Sequence, residues 1–393
     1  MDGLTTAIPL LHAALTGARR GDYEHIAEAC RSFGFVGVHG EPEVGTTKVV
    51  ENAIRFAGTG GIRVDLDIDT DEDGVAQSLA RGLARQVLGT DALSQMAAPD
   101  LLPAWAQQRF VDLTERVGRP VAQLGVDREA DPVPISAVME AIAAVYEHEH
   151  RRPVLWIDSL QAPLVVSRHQ VDVDALLWNV RATHQQIEMP VIVSSSRAAS
   201  RVAHGKSRAF YGDGAWVTLG RPGLDVWQEV GRSLDPEPTA TWIRQMAEIT
   251  HAHPQSMLLA LALRVTLPES WSPLELWQFM LSLDAGHTAR AMRHARSLHR
   301  LGGDLFAGLS RGIGPYEGAR TKAAQMERQR AVRRLHEGGL ITQPRPRAWE
   351  ITNPLLAGRL RGQMPLTSSE AGPFEVPDEE DPPAKAFRSD ESD

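Results

Sequence analysis

The sequence predicts an α/β protein with a five-stranded parallel sheet, a helical second segment and a C-terminal winged helix-turn-helix. Short apolar runs alternate with long helical stretches over residues 1–220, the pattern of a parallel sheet whose strands are covered on both faces. Apolar residues at helical spacing, without strand candidates, follow over residues 221–288 and predict a helical domain. The third observation is a basic block, residues 289–364, in a chain whose net charge is −9.

Five short apolar runs are the strand candidates. Several are nearly continuous in apolar character, as buried strands of parallel sheets are. They cover residues 33–39, 62–68, 153–158, 190–195 and 215–219. The long stretch between the second and third runs contains a Pro/Asp-rich piece at 127–134, and we expect it to form a helical insertion and a loop.

Composition restricts the class of protein. A length of 393 residues suits two or three domains rather than one compact core. Cys30 is the only cysteine, which excludes a disulfide framework and a thiolate metal cluster. No apolar run is long enough to cross a bilayer and the N-terminus lacks the charged start of a signal peptide, so we expect a cytoplasmic protein without membrane contact. Residues 365–393 carry 9 acidic and 2 basic side chains and predict a disordered acidic tail.

The loop after the first strand candidate has most of a Walker A motif, which reads Gly, four residues, Gly, Lys and then Ser or Thr. Gly40 and Gly45 occupy the glycine positions, where backbone N–H groups can curl around phosphate. Thr47 occupies the position of the magnesium-binding hydroxyl. Thr46 replaces the lysine, so it can donate a hydrogen bond but carries no charge. Lys48 lies about 200° further around a helix of about 3.6 residues per turn and is expected to point away.

Two acidic residues in this loop, Glu41 and Glu43, disfavour a polyphosphate, and on the loop alone an ordinary strand-to-helix turn is an equally good interpretation. Features downstream favour a nucleotide site. Asp158 ends the buried third strand, as the magnesium-binding acid of a Walker B motif does, although Ser159 stands where a glutamate usually activates water. Ser195, near the end of the fourth strand, is a candidate for orienting that water, while a serine cluster is equally typical of a turn.

In this order the motifs resemble those of AAA+/STAND ATPases close to the origin-recognition and archaeal ATPase families. The resemblance covers residues 33–361 and includes the sequence Ile-Thr-His-Ala-His-Pro at 249–254, which is similar to the family's Thr-Gly-Gly-His-Pro lid turn. His251 and Ala252 replace the two glycines. The resemblance implies a P-loop (AAA+-like) core with a helical lid and with ATP and Mg²⁺ as cofactors. It implies that ATP binds at Gly40, Gly45, Thr46, Thr47 and His253, and that Mg²⁺ binds at Thr47 and Asp158.

The basic block is interpreted as the winged helix-turn-helix. Residues 289–362 contain 15 basic and 5 acidic side chains. The sequence Leu-His-Glu-Gly-Gly-Leu-Ile at 335–341 resembles the end of a winged-helix recognition helix. Helices are predicted at 301–309, 317–324 and 326–337, and a two-stranded wing at 340–351.

The charge of this block makes DNA the expected partner. A recognition helix enters the major groove with basic side chains toward the DNA. Because phosphate neutralisation dominates affinity, we favour DNA over the alternative of a protein–protein module. The DNA-binding candidates are Arg328, Arg330, Arg333 and Arg334 on the third helix and Arg345 and Arg347 on the wing.

Together these observations predict a nucleotide-responsive DNA-binding protein with slow or absent ATP turnover. ATP would reposition the winged helix or promote self-assembly, so a homo-oligomer or a complex with a partner protein is a further expectation. Two alternatives stay open. One is a working ATPase that uses Lys48 or a partner's arginine as its phosphate contact. The other is a regulator without nucleotide whose α/β core is an interaction scaffold.

Overall fold

The structure of the protein is a computed structural model that describes most of the chain. The predicted acidic tail at 365–393, the Pro/Asp-rich piece at 127–134, Glu43 and Arg347 lie outside the described residues. The described residues are 2–41, 44–65, 83, 104–122, 135–150, 152–160, 173–196, 199–200, 203, 205–206, 208–267, 271–283, 286–345 and 348–362.

Fifteen helices lie in the described part of the chain. None of them is both long enough and apolar enough to cross a membrane. In chain order they are α1 (Asp2–Ala18), α2 (Arg20–Phe33), α3 (Thr46–Phe56), α4 (Ala104–Val117), α5 (Arg119–Ala122), α6 (Ile135–His148), α7 (Val173–Ile187), α8 (Leu224–Arg232), α9 (Ala240–Thr250), α10 (Pro254–Thr266), α11 (Pro273–Ser282), α12 (His287–Leu298), α13 (Gly302–Ser310), α14 (Lys322–Glu337) and α15 (Pro354–Arg361).

A parallel sheet of five strands forms the centre of the α/β part, and the predicted fold class is confirmed. The strand order is β2-β3-β4-β1-β5, so that β1 lies between β4 and β5. Neighbouring strands in this sheet run parallel, and all their carboxyl ends therefore meet at one edge. The strands are β1 (Phe35–Gly40), β2 (Gly60–Asp65), β3 (Pro153–Asp158), β4 (Val191–Ser196) and β5 (Ala215–Leu219).

Two glycines set strand limits that the apolar pattern alone misplaced. Gly34 has a φ of +72° and closes α2, so β1 starts at Phe35 instead of residue 33. β2 starts at Gly60 instead of residue 62. A Cβ on Gly60 would lie 2.0 Å from Cε1 of Tyr146, so the tyrosine of α6 packs in the space that a larger residue would need.

Helices cover both faces of the sheet. Side chains of α2 and α3 pack with Val36, Val38 and Trp156 in one buried cluster. Side chains of α4, α6 and α7 pack with Leu155 and Val193 in another. Successive residues along a strand therefore pack in different clusters, as they must in a sheet that is buried on both faces.

Helix α1 belongs to a third apolar cluster, away from the sheet. Leu11 of α1 is buried with Trp227 of α8, Trp277 of α11 and Leu355 of α15. The helical bundle α8–α11 therefore contains side chains from near the start of the chain and from its last described helix.

A fourth cluster holds the C-terminal part together, and here one predicted helix is wrong. Helices α12, α13 and α14 pack on an antiparallel hairpin of β6 (Ile341–Arg345) and β7 (Ala348–Ile351). The predicted helix at 317–324 is absent, because residues 311–321 form turns in which Gly312 and Gly318 both have a φ of +78°. Helix α14 begins only after Thr321, whose hydroxyl accepts a hydrogen bond from the N–H of Ala324.

Candidate nucleotide site

The loop from Gly40 to Thr47 joins the carboxyl end of β1 to the start of α3, and its geometry requires both glycines. A Cβ on Gly40 would lie 2.6 Å from Cγ1 of Val44 and 3.0 Å from the carbonyl oxygen of Leu219. Gly45 has a φ of +93° and is the N-cap of α3. The first N–H groups of a helix have no partner within it, so the start of α3 offers backbone donors and a positive dipole end to an anion.

Asp158 ends β3 at the same edge of the sheet, and both of its carboxylate oxygens accept hydrogen bonds. Oδ1 accepts from Oγ of Ser194 at 2.5 Å and from the N–H of Ser159 at 2.9 Å. Oδ2 accepts from Oγ1 of Thr47 at 3.1 Å and from Nη2 of Arg63 at 2.8 Å. The structure therefore brings the two predicted magnesium ligands, Thr47 and Asp158, into direct contact.

Arg63 is the member of this cluster that the sequence analysis missed. It lies on β2 opposite Trp156 in the strand register, and its guanidinium carbon lies 4.8 Å from the centre of the Trp156 ring. Its Nη1 is 3.9 Å from Oε1 of Glu51, and its side chain is 35% exposed. The available signal was an arginine within a strand predicted to be buried, because a charge in that setting requires a partner.

The arrangement around Asp158 does not suit a magnesium ion. Magnesium demands near-octahedral oxygen coordination and gives up its water ligands reluctantly. Oδ2 already binds the guanidinium of Arg63, so a divalent ion at that oxygen would have to approach a fixed positive charge.

Glu41 of the loop and Lys48 of the helix that follows it are both paired with neighbours. The carboxylate of Glu41 accepts from Nε of Arg221 at 2.7 Å and from Oγ1 of Thr342 at 3.3 Å. Nζ of Lys48 lies 2.7 Å from Oε2 of Glu51. The negative charge of Glu41, which on the sequence alone disfavours a polyphosphate, is therefore balanced by Arg221.

Arg19, between α1 and α2, is hydrogen-bonded to the backbone of the loop. Its guanidinium is buried and donates from Nη1 to the carbonyl oxygen of Val44 at 2.6 Å and from Nη2 to that of Gly220 at 3.3 Å. Its Nε pairs with Asp22 at 2.7 Å. The contacts to Val44 and Gly220 join parts of the chain that are distant in sequence, and no local pattern indicated them.

The serines at the end of β4 alternate between the faces of the sheet. Oγ of Ser194 accepts from Nε1 of Trp156 at 2.8 Å and donates to Asp158. Ser195, the residue predicted to orient water, is buried on the opposite side. Within the described part of the protein its Oγ has no hydrogen-bond partner. The structure therefore places Ser194, rather than Ser195, on Asp158.

The turn between α9 and α10, residues 251–253, is called the lid turn below. Two of its residues that are not glycines adopt a backbone conformation that glycine usually adopts. His251 and Ala252 have φ values of +52° and +51°, the left-handed region that favours glycine. His253 follows as the N-cap of α10 and is 1% exposed, with Nδ1 at 3.4 Å from Oγ of Ser256. Burial, and to a smaller degree the charge of Arg221, lowers the pKa of His253 to about 3.

A cavity of about 670 Å³ lies beside the loop, between α1, α3, α10 and the C-terminal part. Gly45 and Lys48 form its edge at the start of α3, so Lys48 faces the cavity although the sequence predicted that it points away. His253, the predicted nucleotide contact, does not line it. Leucines are the most frequent lining residues, and amides, a hydroxyl and basic side chains lie among them. The lining includes Leu15, Leu258, Leu259, Leu340, Leu356, Thr16, Asn52, Gln255, Arg19 and Arg359.

Contacts at the same edge connect the loop with the C-terminal part. Besides Glu41, Arg221 donates to a carbonyl of the lid turn at 3.0 Å and to that of Thr352, after β7, at 3.3 Å. Oγ of Ser196 at the end of β4 donates to the carbonyl of Glu337 at the end of α14, at 3.4 Å. The loop, the lid turn and the C-terminal helix and hairpin therefore meet in one hydrogen-bonded group.

The predicted DNA-binding arginines of α14 differ in what they contact. Arg328 donates from Nη1 to the carbonyls of Pro315 at 3.1 Å and of Glu317, so it holds the turn before α14. Arg330, Arg333 and Arg334 each lie near an acid of the same helix. Nothing is described of the side chains of Arg345 and Arg347.

No protein-family model matches the chain, and no curated protein matches it in sequence. Among solved structures it is similar to a Walker-type ATPase of Pyrococcus abyssi, with a TM-score of 0.59 and 11% identity over 87% of this chain and 95% of that one. It is also similar to the ORC2 protein of Aeropyrum pernix in ADPNP and ADP complexes, with a TM-score of 0.50 and 12% identity over 88% and 93%. The chain has an AAA+-like P-loop ATPase fold. The expectation of the fold is thus confirmed, while the degenerate loop and the winged helix stay predictions.

Proposed function

We propose that this protein binds ATP beside the Gly40–Thr47 loop, with slow or absent turnover, and binds DNA through its basic C-terminal part. The observation that carries nucleotide binding is the cavity that opens at the start of α3. Its volume of about 670 Å³ lies within the range of about 300–1,000 Å³ that is usual for ligand sites. It joins an anion-binding helix end to an apolar pocket.

Each part of a nucleotide meets suitable chemistry in this arrangement. Phosphates at Gly45 would accept hydrogen bonds from the first N–H groups of α3 and lie near Lys48. A purine ring would lie against Leu258 and Leu259, where apolar contact replaces water. The amide of Asn52 offers a donor and an acceptor for the ring edge.

Two substitutions in the motifs support slow turnover. Thr46 brings no charge to the β- and γ-phosphates, where the Walker A lysine offsets charge during transfer. Ser159 stands in the position of the general base and has a φ of +62°, with its N–H bound to Asp158. A serine hydroxyl is too weak a base at neutral pH to activate water by itself.

Titration with a fluorescent ATP analogue tests nucleotide binding. Leu259→Trp fills the cavity without changing the loop and should weaken binding by at least about tenfold. Leu274→Trp makes the same change at an exposed leucine on α11 that does not line the cavity, and it should bind like the wild type. Absence of binding to the wild type at millimolar analogue, or equal affinity of the three proteins, would show that the cavity is not a nucleotide site.

For the C-terminal part we propose a winged helix that binds DNA with α14. Ala331, Val332 and Leu335 face the core of this part, which leaves Arg330 and Arg333 largely exposed on the outside of the helix. The hairpin β6–β7 follows as a wing would. Support also comes from the excess of basic residues, 15 against 5 acidic ones over residues 289–362.

Anisotropy of a labelled DNA duplex at several salt concentrations tests this proposal. Arg333→Gln should weaken binding on all duplex sequences and lower the salt slope by about 1, because one phosphate contact is lost. Arg31→Gln removes an exposed, acid-paired arginine on α2 and serves as the matched control. If both variants keep the wild-type slope, α14 does not bind the DNA backbone.

We further propose that ATP changes the affinity for DNA. The contacts of Thr342 and Arg221 with Glu41 connect the loop directly to the hairpin region. A phosphate at the loop would alter the electrostatic surroundings of Glu41 and therefore the strength of these contacts.

A further inference from the structure

In the proposed nucleotide site Thr46 stands in the position of the P-loop lysine, and Oδ2 of Asp158 is bound by the guanidinium of Arg63. We propose that Arg63 replaces the magnesium ion and binds the phosphates directly, so that nucleotide binding does not depend on a divalent metal. This inference rests on the proposed binding of ATP. It departs from the prediction that Thr47 and Asp158 hold Mg²⁺.

The first argument is the position of the guanidinium. Nη2 of Arg63 and Oγ1 of Thr47 donate to the same oxygen of Asp158, at 2.8 Å and 3.1 Å. The guanidinium and the hydroxyl are therefore neighbours at the start of α3. The hydroxyl, the carboxylate and the guanidinium therefore form one hydrogen-bonded group at this edge of the sheet.

The second argument is that Arg63 is both oriented and accessible. The ring of Trp156 supports one face of the guanidinium at 4.8 Å, and Glu51 lies at 3.9 Å from Nη1. The side chain remains 35% exposed, so a ligand can reach it. A planar guanidinium with five N–H donors suits a phosphate group.

The third argument is that both carboxylate oxygens of Asp158 already accept hydrogen bonds from the protein. Its two oxygens accept four hydrogen bonds from the protein and the carboxylate is nearly buried, at 4% exposure. A magnesium ion would have to displace the guanidinium and then lie close to it. A phosphate, in contrast, carries the negative charge that a guanidinium binds.

Binding of the fluorescent ATP analogue with EDTA, and with excess Mg²⁺ at matched ionic strength, tests the inference. Wild-type affinity should differ by less than about threefold between the two media. Arg63→Gln should bind about tenfold more weakly in EDTA, the loss expected for one charged hydrogen bond, and should regain affinity with Mg²⁺ because Oδ2 of Asp158 becomes available. Arg55→Gln, at an exposed position in the last turn of α3, controls for the lost charge.

A second readout needs no nucleotide. Mg²⁺ should leave the melting temperature of the wild type unchanged and raise that of Arg63→Gln. If Arg63→Gln does not fold, Arg63→Lys keeps the charge without the planar fork, and it should bind more weakly than the wild type in EDTA and remain insensitive to Mg²⁺.

Two outcomes would overturn the inference alone: wild-type binding that tightens by more than about threefold with Mg²⁺, or equal binding of the wild type and Arg63→Gln in EDTA. Absence of binding by every protein in both media would refute the proposed nucleotide site itself, and the role of Arg63 with it.

Discussion

The substitution His253→Gln tests the electrostatics of the lid turn. In the folded protein burial lowers the pKa of His253 from 6.5 to about 3, because the imidazolium would lose its water and face Arg221. The unfolded chain therefore takes up the proton more readily than the folded protein. The stability contributed by neutral His253 is fully present above pH 6.5 and is lost as the pH falls toward 3.

The size of the effect follows from the two pKa values. Between neutral pH and about pH 5 the unfolded chain gains most of a proton at this position while the folded protein gains almost none. At about 1.4 kcal/mol per pKa unit, this lowers the free energy of unfolding by about 2 kcal/mol. His251, whose pKa burial lowers to about 4, adds a similar loss in both proteins and cancels in the comparison.

Urea unfolding followed by tryptophan fluorescence at neutral pH and at about pH 5 measures the difference. The wild type should lose about 2 kcal/mol more than His253→Gln over this interval, whatever the stability of the variant at neutral pH. His25→Gln removes an exposed histidine from α2 and serves as the control for a lost imidazole. Equal losses in the wild type and His253→Gln would refute the assignment of a buried neutral histidine.

Three further predictions concern the fold and the coupling of its parts. Gly60→Ala should lower the free energy of unfolding by about 1–3 kcal/mol, because its Cβ would lie 2.0 Å from Tyr146, while Gly21→Ala, which meets nothing within 4 Å, should not. Ala252→Gly should raise the free energy of unfolding by about 1 kcal/mol, because glycine adopts the left-handed backbone of this position without strain. Urea unfolding measures both effects. Arg221→Gln should reduce the change in DNA affinity that ATP produces. DNA titrations with and without ATP measure this reduction, and an undiminished effect of ATP would contradict the proposed coupling.

The sequence was informative where structure is set by residues close together in the chain. Apolar runs located all five strands, since a strand buried on both faces requires apolar side chains at successive positions. The glycines of the loop were found because the Walker A motif fixes their spacing, and Asp158 because an apolar strand ends in an acid. The predicted helix at 317–324 was wrong because Gly318 adopts a positive φ, which ends or prevents a helix and which the apolar pattern does not reveal.

The contacts that shape the site could not be predicted in the same way. Arg63 lies 95 positions from Asp158, and Arg221 lies 180 positions from Glu41. Periodicity and motif spacing carry no information about which distant side chains a folded sheet edge brings together. An arginine in an apolar strand signals that a partner exists, but only the strand order identifies it.

A single residue, Arg19, joins α1 to α2. Helix α1 is packed into the bundle α8–α11, whereas α2 is packed on the sheet, and Arg19 alone separates them. The guanidinium of Arg19 donates to the carbonyl of Val44, so the junction of the two helices is joined directly to the loop. The first two helices thus bring the bundle, the sheet and the loop together within one short stretch of chain.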